Sequence, residues 1–296
     1  MEIRELRSLL YLADLGSLAK AADKLHLTSP AIHKHLKLLE DELGVRLYER
    51  AGRNLRLTQA AYVLLPRIRN MLIEYDAAIH ELEELKGLRR GLVRIGAGPT
   101  FSSYVLPLLL EEFRRRHSEV ELFVETGHTP QLLDDLNKGA LDLAIIVSSE
   151  LTAEGDFEIR QEWDFEFVLT APPGRLPRRC ALAKLQTQPF ILYRKGSVME
   201  NQVDRYFAAH RFHPRVVMRL DNAEAIKAMV KSQLGVSLLP LWTVADEVKQ
   251  RKLAIVRLQE PPPVGRLVLV TRKSGHLPHS VEAFIEVAQK WQWKFA

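Results

Sequence analysis

Ser29, His33, Lys34 and Lys37 stand close together in the stretch from Thr28 to Lys37. They carry hydroxyl, imidazole and ammonium groups. If the stretch is helical, these four residues face outward while Ala31, Ile32, Leu36 and Leu39 form the inward stripe. A thin rod presenting short polar and basic groups can enter the major groove of a duplex, donate to base acceptors, and pair with phosphates beside them. Lys34 and His33 are the candidates for donation to guanine. Thr28 or Ser29 caps the helix, and Pro30 lies in its first turn, where a missing N–H costs nothing.

A rod of this kind needs a brace. One precedes it: Leu18, Ala21, Ala22 and Leu25 recur at helical spacing, Ser17 stands where an N-cap belongs, and His26-Leu27 ends the run. The two helices with a tight turn between them form a helix-turn-helix. After it, Val45 to Thr58 reads as a hairpin. Arg46–Glu49 and Leu55–Leu57 form its arms around Ala51-Gly52-Arg53-Asn54, where Gly and Asn tolerate a turn's positive φ. Arg50 and Arg53 fall on this wing. Beside a reading helix they are candidates for phosphate or minor-groove contact, which makes the candidate DNA-contacting set Ser17, Thr28, Ser29, Pro30, His33, Lys34, Lys37, Arg50 and Arg53.

The segment AADKLHLTSPAIHKHLKLLEDELGVRLYER resembles the N-terminal winged helix-turn-helix of the LysR-type transcriptional regulators. Ala21-Ala22, Leu25, Ser29-Pro30-Ala31, Leu39-Glu40, Leu43-Gly44, Leu47-Tyr48-Glu49-Arg50 and Leu57-Thr58 carry the match without gaps. Two outward positions depart from the family pattern: His33 where Ser is common and Ser29 where Gln is common. The departures bear on which site is read.

From Thr58 to about Leu85 the pattern is one long helix. Ala61, Leu65, Ile68, Leu72, Tyr75, Ile79 and Leu82 step by four and three alternately. That 3.5-residue period marks a helix that pairs with another; the alternative is a helix packed on its own domain. Pro66 should bend it near its start. Lys86-Gly87-Leu88-Arg89-Arg90-Gly91 reads as a stop and linker. A two-fold dimer would set two reading helices on one pseudo-palindromic site.

From Leu92 strands and helices alternate. Strands are expected at Val93–Ala97, Glu121–Glu125 and Leu141–Val147, and helices at Ser102–Arg115 and Pro130–Lys138. Repeated βαβ units imply a mostly parallel sheet. A second set covers Phe165–Thr170, Phe190–Tyr193, Val198–His210, Val216–Leu220, Ala223–Ser232 and Val236–Leu239, followed by a strand at Leu267–Val270 and a helix at Ser280–Trp291. The second set looks inserted into the first, with crossings near Trp163–Phe165 and Pro263–Leu267. A chain that crosses twice between lobes suits a cleft that closes on a ligand.

The expected organisation is therefore a winged helix-turn-helix at 1–58, a dimerisation helix and hinge at 59–90, and a two-lobed α/β domain at 91–296. Lobe one would take 91–162 and 267–296, and lobe two 163–266. LysR-type effector domains resemble periplasmic binding proteins. Gly139-Ala140-Leu141-Asp142-Leu143-Ala144-Ile145 looks like their G-x-L-D-x-A-I segment, and Val230–Pro240 like their GxGxxxLP segment, with Gln233 in place of the first glycine.

Ligands in open α/β sheets sit beyond strand carboxyl ends, where helix N-termini favour anions. Thr100, Ser102, Ser103, Thr129, Arg194, Ser197 and Asn222 fall at such places. Each hydroxyl or amide taken singly is a plain helix cap; taken jointly they would line an effector pocket. Thr100, Ser102, Thr129 and Asn222 match positions that often line that pocket in the family. Arg194 reads equally as a carboxylate partner and as a solvated charge.

The 296 residues are 47% hydrophobic and 27% charged, with net charge +5. That is ordinary for a globular chain with a lean toward polyanions. The first 58 residues hold ten Lys/Arg and eight Asp/Glu, so DNA affinity must come from charge placement. Cys180 is the single cysteine, which excludes an intrachain disulfide and suits a reducing compartment. With neither a signal-peptide pattern nor a long apolar run, the expected location is cytoplasmic.

The residues point to no catalytic set, metal site or cofactor. Gly96-x-Gly98 is followed by Phe101 where a dinucleotide loop needs Gly. His33 and His35 diverge on a helix, His276 and His279 flank a loop, and Trp291, Trp293 and Phe295 read as packing anchors. The expected function is a ligand-responsive transcriptional regulator, with double-stranded DNA, a small anionic effector, RNA polymerase and further copies of the chain as partners. The resemblance implies a homotetramer; the residues support only the paired helix. An enzymatic C-terminal part and a constitutive architectural DNA binder are the alternatives.

Overall fold

The computed structural model describes residues 1–51, 54–85, 91–148, 156–273 and 277–292. They form two compact units, Met1–Arg89 with Ser274–Pro278 and Arg90–Lys273 with His279–Ala296.

The first unit contains α1 (Ile3–Leu15), α2 (Leu18–Leu25), α3 (Ser29–Leu43), β1 (Tyr48–Ala51), β2 (Asn54–Leu57) and α4 (Gln59–Leu85). The N-terminal helix α1 is absent from the sequence reading. Its capping box pairs Glu2 and Glu5, and charged residues interleaved with apolar ones from Glu2 to Arg7 hid the pattern. Leu6, Leu9 and Leu12 of α1 are buried with Ile32, Leu36 and Leu39 of α3, Leu47, and Ala61, Leu65, Ile68 and Leu72 of α4. Fully burying each such leucine or isoleucine contributes about 1.5–3 kcal/mol. Ser8, fully buried, donates to the Arg4 carbonyl at 2.9 Å and meets His35 Nδ1 at 2.8 Å. Its one proton is used on Arg4, so His35 donates from Nδ1 and ties α3 to α1. Arg7–Asp76 at 2.6 Å and Arg69–Asp14 link α1 to α4.

The expected seam of α4 divides in two. Ala61, Leu65, Ile68 and Leu72 are spent on the unit's own core, whereas Tyr75, Ile79 and Leu82 are 40–50% exposed. Four seam positions therefore pack as a domain helix does, and only the distal three remain to pair.

The second unit opens with β3 (Leu92–Ala97), α5 (Pro99–Tyr104), α6 (Leu106–Arg116), β4 (Glu121–Thr126), α7 (Thr129–Asn137) and β5 (Leu143–Ser148). The single helix expected at Ser102–Arg115 is two. Pro107 has no N–H to give Ser103, so the chain resets at Val105. Next come β6 (Phe157–Ala171), β7 (Arg179–Cys180), a 3₁₀ turn at Leu182–Leu185, β8 (Pro189–Tyr193), α8 (Val198–Ala209), β9 (Arg215–Leu220), α9 (Ala223–Lys231), β10 (Ser237–Pro240), α10 (Leu241–Lys249), β11 (Ala254–Leu258), β12 (Val264–Arg272) and α11 (His279–Lys290).

The large sheet runs β4-β3-β5-β12-β6-β11-β7, with β10 also on β6. It is mixed, which corrects the mostly parallel expectation. β3 pairs in parallel with β4 and β5, while β12 is antiparallel to β5 and β6, and β6 is antiparallel to β10 and β11. The reason is the double crossing. β6 leaves the first half of the sheet and β12 returns to it, side by side, with Trp163 opposite Leu267 and Gly265 opposite Phe165. Two strands running in opposite senses cannot both be parallel to their neighbours. β8 and β9 form a separate parallel pair. Gly235 lets Val236 dock on β8: a Cβ there would lie 2.6 Å from the Pro189 carbonyl, which accepts from the Val236 amide at 2.9 Å. Gln233 adopts φ +64°, the left-handed conformation of the glycine it replaces, and Arg175 Nη1 donates to its carbonyl at 2.6 Å.

Candidate DNA-reading face and effector cleft

The first-unit site is built on α3. Thr28 is its N-cap, accepting from the Ala31 amide at 3.3 Å, and Pro30 sits in the first turn. Ser17 occupies the N-cap of α2 with extended backbone, but its hydroxyl makes no capping hydrogen bond. His26, at φ +54°, ends α2, and the Leu27 amide closes back on the Ala22 carbonyl at 2.9 Å. The turn between the helices therefore holds no glycine and is set by a histidine in the left-handed region.

On α3, Pro30, His33, Lys34 and Lys37 are exposed and Ser29 is half-buried, while Ile32, Leu36 and Leu39 are wholly buried. The amphipathic division read from spacing holds for Ile32, Leu36 and Leu39 inside and His33, Lys34 and Lys37 outside, while Ala31 and Ser29 are both half-buried at its edge. Glu40 anchors the wing: its Oε1 accepts from the amides of Leu47 and Tyr48, at 2.6 and 3.3 Å. The hairpin pairs Tyr48 with Leu57, Arg50 with Leu55 and Ala51 with Asn54, so its first arm starts two residues later than expected and its second one residue earlier. Arg53 lies outside the described residues, as do 86–90, His276, Trp293 and Phe295.

In the second unit, the candidates sit at two sets of strand carboxyl ends. β3 and β4 end in register, Ala97 opposite Thr126. Thr100 and Ser102 lie on α5 after β3, Thr129 is the first residue of α7 after β4, and Thr126 Oγ1 donates to Ser102 Oγ at 3.4 Å. Ser103 turns back on its own helix and donates to the Pro99 carbonyl at 3.0 Å. β8 and β9 also end together, Tyr193 opposite Leu220, and the Arg194 amide donates to the Leu220 carbonyl at 2.7 Å. Ser197 caps α8, accepting from Glu200 N at 3.1 Å, and Asn222 caps α9, accepting from Ala225 N at 2.8 Å. Gln202 of α8 donates to the Ser148 carbonyl at 3.5 Å, which brings α8 to the carboxyl end of β5. Ser197 and Asn222 each spend an acceptor on capping, while Arg194 is exposed and its backbone carbonyl accepts from the Ser197 amide at 3.2 Å.

Sequence reasoning missed the group that shapes this turn. Glu200 is buried; it accepts from Gly196 N at 3.2 Å and from Arg219 Nη1 at 3.0 Å, and Arg219 also donates to the Tyr193 carbonyl at 3.1 Å. The spacing Ser197-x-x-Glu200 is a capping-box signature and was the available signal. Arg219 had none, since it reaches the turn from β9.

Two cavities, of about 630 and 310 Å³, lie elsewhere in this unit, the first among Tyr104, Leu108, Trp242 and Val287 and the second around Lys227. Neither is lined by the seven effector candidates. Lys227, 2% exposed, lies 2.7 Å from Glu247 and 2.9 Å from Glu224, with its ammonium 4.7 Å above the Tyr104 ring. Cys180 is buried, and burial pushes its thiol up, which disfavours a reactive thiolate. Among the described residues no helix is long and apolar enough to cross a membrane.

A braced helix with a basic outer face, joined in one chain to a doubly crossed α/β unit, defines a DNA-binding regulator with a sensory domain. Comparison with known proteins gives the family. Residues 3–62 match the bacterial regulatory helix-turn-helix protein, lysR family, and residues 86–293 match the LysR substrate binding domain. The chain belongs to the LysR family of transcriptional regulators, which pair a DNA-binding helix-turn-helix with an effector-binding domain and are not enzymes. It is 30% identical over 289 residues to the RuBisCO operon transcriptional regulator of Allochromatium vinosum, covering 97% of this chain and 95% of that protein. It is 29% identical to the HTH-type transcriptional activator CmpR of Synechocystis, covering 93% and 90%. Among solved structures, a full-length OxyR variant from Pseudomonas aeruginosa superposes with TM-score 0.71 at 25% identity, over 97% of this chain and 94% of that one. CbnR complexed with its target DNA shares the fold, with TM-score 0.63 at 22% identity over 98% and 99%.

Proposed function

We propose that α3 reads a pseudo-palindromic promoter site in the major groove and that a small anion, bound at the facing strand ends of the second unit, modulates transcription. The observation that carries the reading is the division of α3. Ile32, Leu36 and Leu39 are locked in the core, which leaves His33, Lys34 and Lys37 on a rigid, solvent-facing row. Ser29, Pro30 and Thr28 open that row, and Ser17, Arg50 and Arg53 complete the proposed contacts to the duplex. Thr100, Ser102, Ser103, Thr129, Arg194, Ser197 and Asn222 are proposed to surround the effector, with Arg194 meeting its negative charge. The exposed Tyr75, Ile79 and Leu82 of α4 would pair two copies, and two such dimers would form the tetramer. Such a protein works with the chromosome in the cytoplasm and meets RNA polymerase at the promoter.

Titration of fluorescent promoter DNA from upstream of the coding region tests the reading. Lys34→Ala should weaken cognate binding by about 1–3 kcal/mol if Lys34 meets a base, and reduce the salt slope by about one if it meets a phosphate. Equal affinity of the wild type for cognate and random duplex would overturn it. A thermal-shift screen of organic and inorganic anions tests the cleft, since a true effector stabilises by mass action.

A further inference from the structure

Tyr48 of the wing meets an outward residue of the reading helix through its side chain. Tyr48 is placed there from two directions: Glu40 of α3 holds its amide, and its ring packs on the core of the first unit. From that position its hydroxyl lies 3.2 Å from Nε2 of His33, with ring centroids 5.9 Å apart and planes crossed at 76°. His33 is exposed on the outward row of α3, so the nitrogen left to meet a base is Nδ1.

An imidazole with one proton has two forms, and they read different bases. With the proton on Nδ1 the free nitrogen donates; with the proton on Nε2 it accepts. A phenol O–H is a better donor than a neutral imidazole N–H, and an imidazole nitrogen is a better acceptor than a phenol oxygen. The favoured pairing therefore sends the Tyr48 proton to Nε2.

We propose that Tyr48 is a positioning residue for sequence reading, holding His33 as the Nδ1–H tautomer and committing it to a base with a major-groove acceptor. Guanine N7 or O6, adenine N7 and thymine O4 qualify; the amino group of cytosine does not. The proposal rests on α3 being the reading helix.

Full-length protein labelled with ¹⁵N-histidine tests the tautomer without DNA, the His33 signals being assigned by their loss in His33→Gln. The wild type should show Nδ1–H, and Tyr48→Phe, which keeps the ring, should shift His33 toward Nε2–H. Binding to promoter fragments altered one base pair at a time tests the consequence. At one position Tyr48→Phe should lower the ratio of best to worst base about fivefold, the worth of one hydrogen bond, with binding to random duplex unchanged. In a His33→Gln background the same change should have no further effect. An Nε2–H wild type, an unaltered ratio in Tyr48→Phe, or a Tyr48→Phe effect that persists without His33 would overturn the proposal. A wild type that does not discriminate among duplexes would instead overturn the reading-helix assignment, and the NMR result would still decide the tautomer.

Discussion

Phe165 and Gly265 are cross-strand partners where β6 and β12 run side by side, and the Phe165 ring fills the place a Cβ at position 265 would take. Its Cε2 and Cε1 would lie 2.6 and 2.7 Å from that Cβ. On it stacks Trp242 of α10, with centroids 4.7 Å apart, and Phe101 of α5 meets Trp242 edge-on at 6.3 Å. The double crossing is thus pinned by an aromatic cluster that needs a glycine at its base.

Gly265→Ala should destabilise the second unit by about 1–3 kcal/mol, the usual cost of overpacking. Phe165→Leu in the same chain should recover part of that loss. Urea unfolding of the single and double variants checks the coupling, and additive losses would count against it.

Lys227 and Glu247 predict a pH dependence. Burial alone would raise the Glu247 carboxyl, but its bond to Lys227 and the charges of Lys227 and Lys231 outweigh this and hold it below 4.5. A depressed folded value means that the pair's stabilisation is present above about pH 4.5 and is lost as pH falls through the lowered value. Glu247→Gln should cost about 2 kcal/mol at neutral pH, because it leaves the buried Lys227 with only the exposed Glu224 as an anionic partner. The gap between variant and wild type should close as pH falls, as thermal melts across the acid range would show.

The two halves of α4 should respond differently to substitution. Leu72→Ala opens a cavity in the first unit's core and should cost about 2–5 kcal/mol. Ile79→Asp, on the exposed half, should leave that core intact and halve the sedimenting mass or more. An Ile79→Asp variant that sediments at native mass would place the pairing surface elsewhere.

Gln233→Gly should be neutral or stabilising by up to about 1 kcal/mol. It relieves a left-handed side-chain residue, a gain partly offset by the greater freedom of glycine in the unfolded chain. Arg175 Nη1 would keep its bond, since that bond is to the backbone carbonyl. A clear loss of stability would show that the glutamine side chain holds the turn.

Much of the first unit was legible because its determinants are local. The cap at Thr28, the proline after it, and the burial of Ile32, Leu36 and Leu39 all follow from spacing within one helix. Helix α10 was not legible, since it starts directly at Pro240 with no side-chain cap at its N-terminus. Of the effector candidates, Ser197 and Asn222 are caps, as single-residue reading had it.

By itself the sequence determined the helix-turn-helix, the outward row of α3, the alternation of strands and helices, and the two crossings, because each is written in periodicity or in neighbours a few residues apart. Only the tertiary structure decided that Tyr48 meets His33, that Arg219 serves Glu200, that Leu72 belongs to the core rather than to a partner, and that the sheet is mixed. Those outcomes depend on which distant segments come into contact. Chain spacing does not encode that choice, because any buried leucine or outward arginine reads the same until its neighbours across the fold are known.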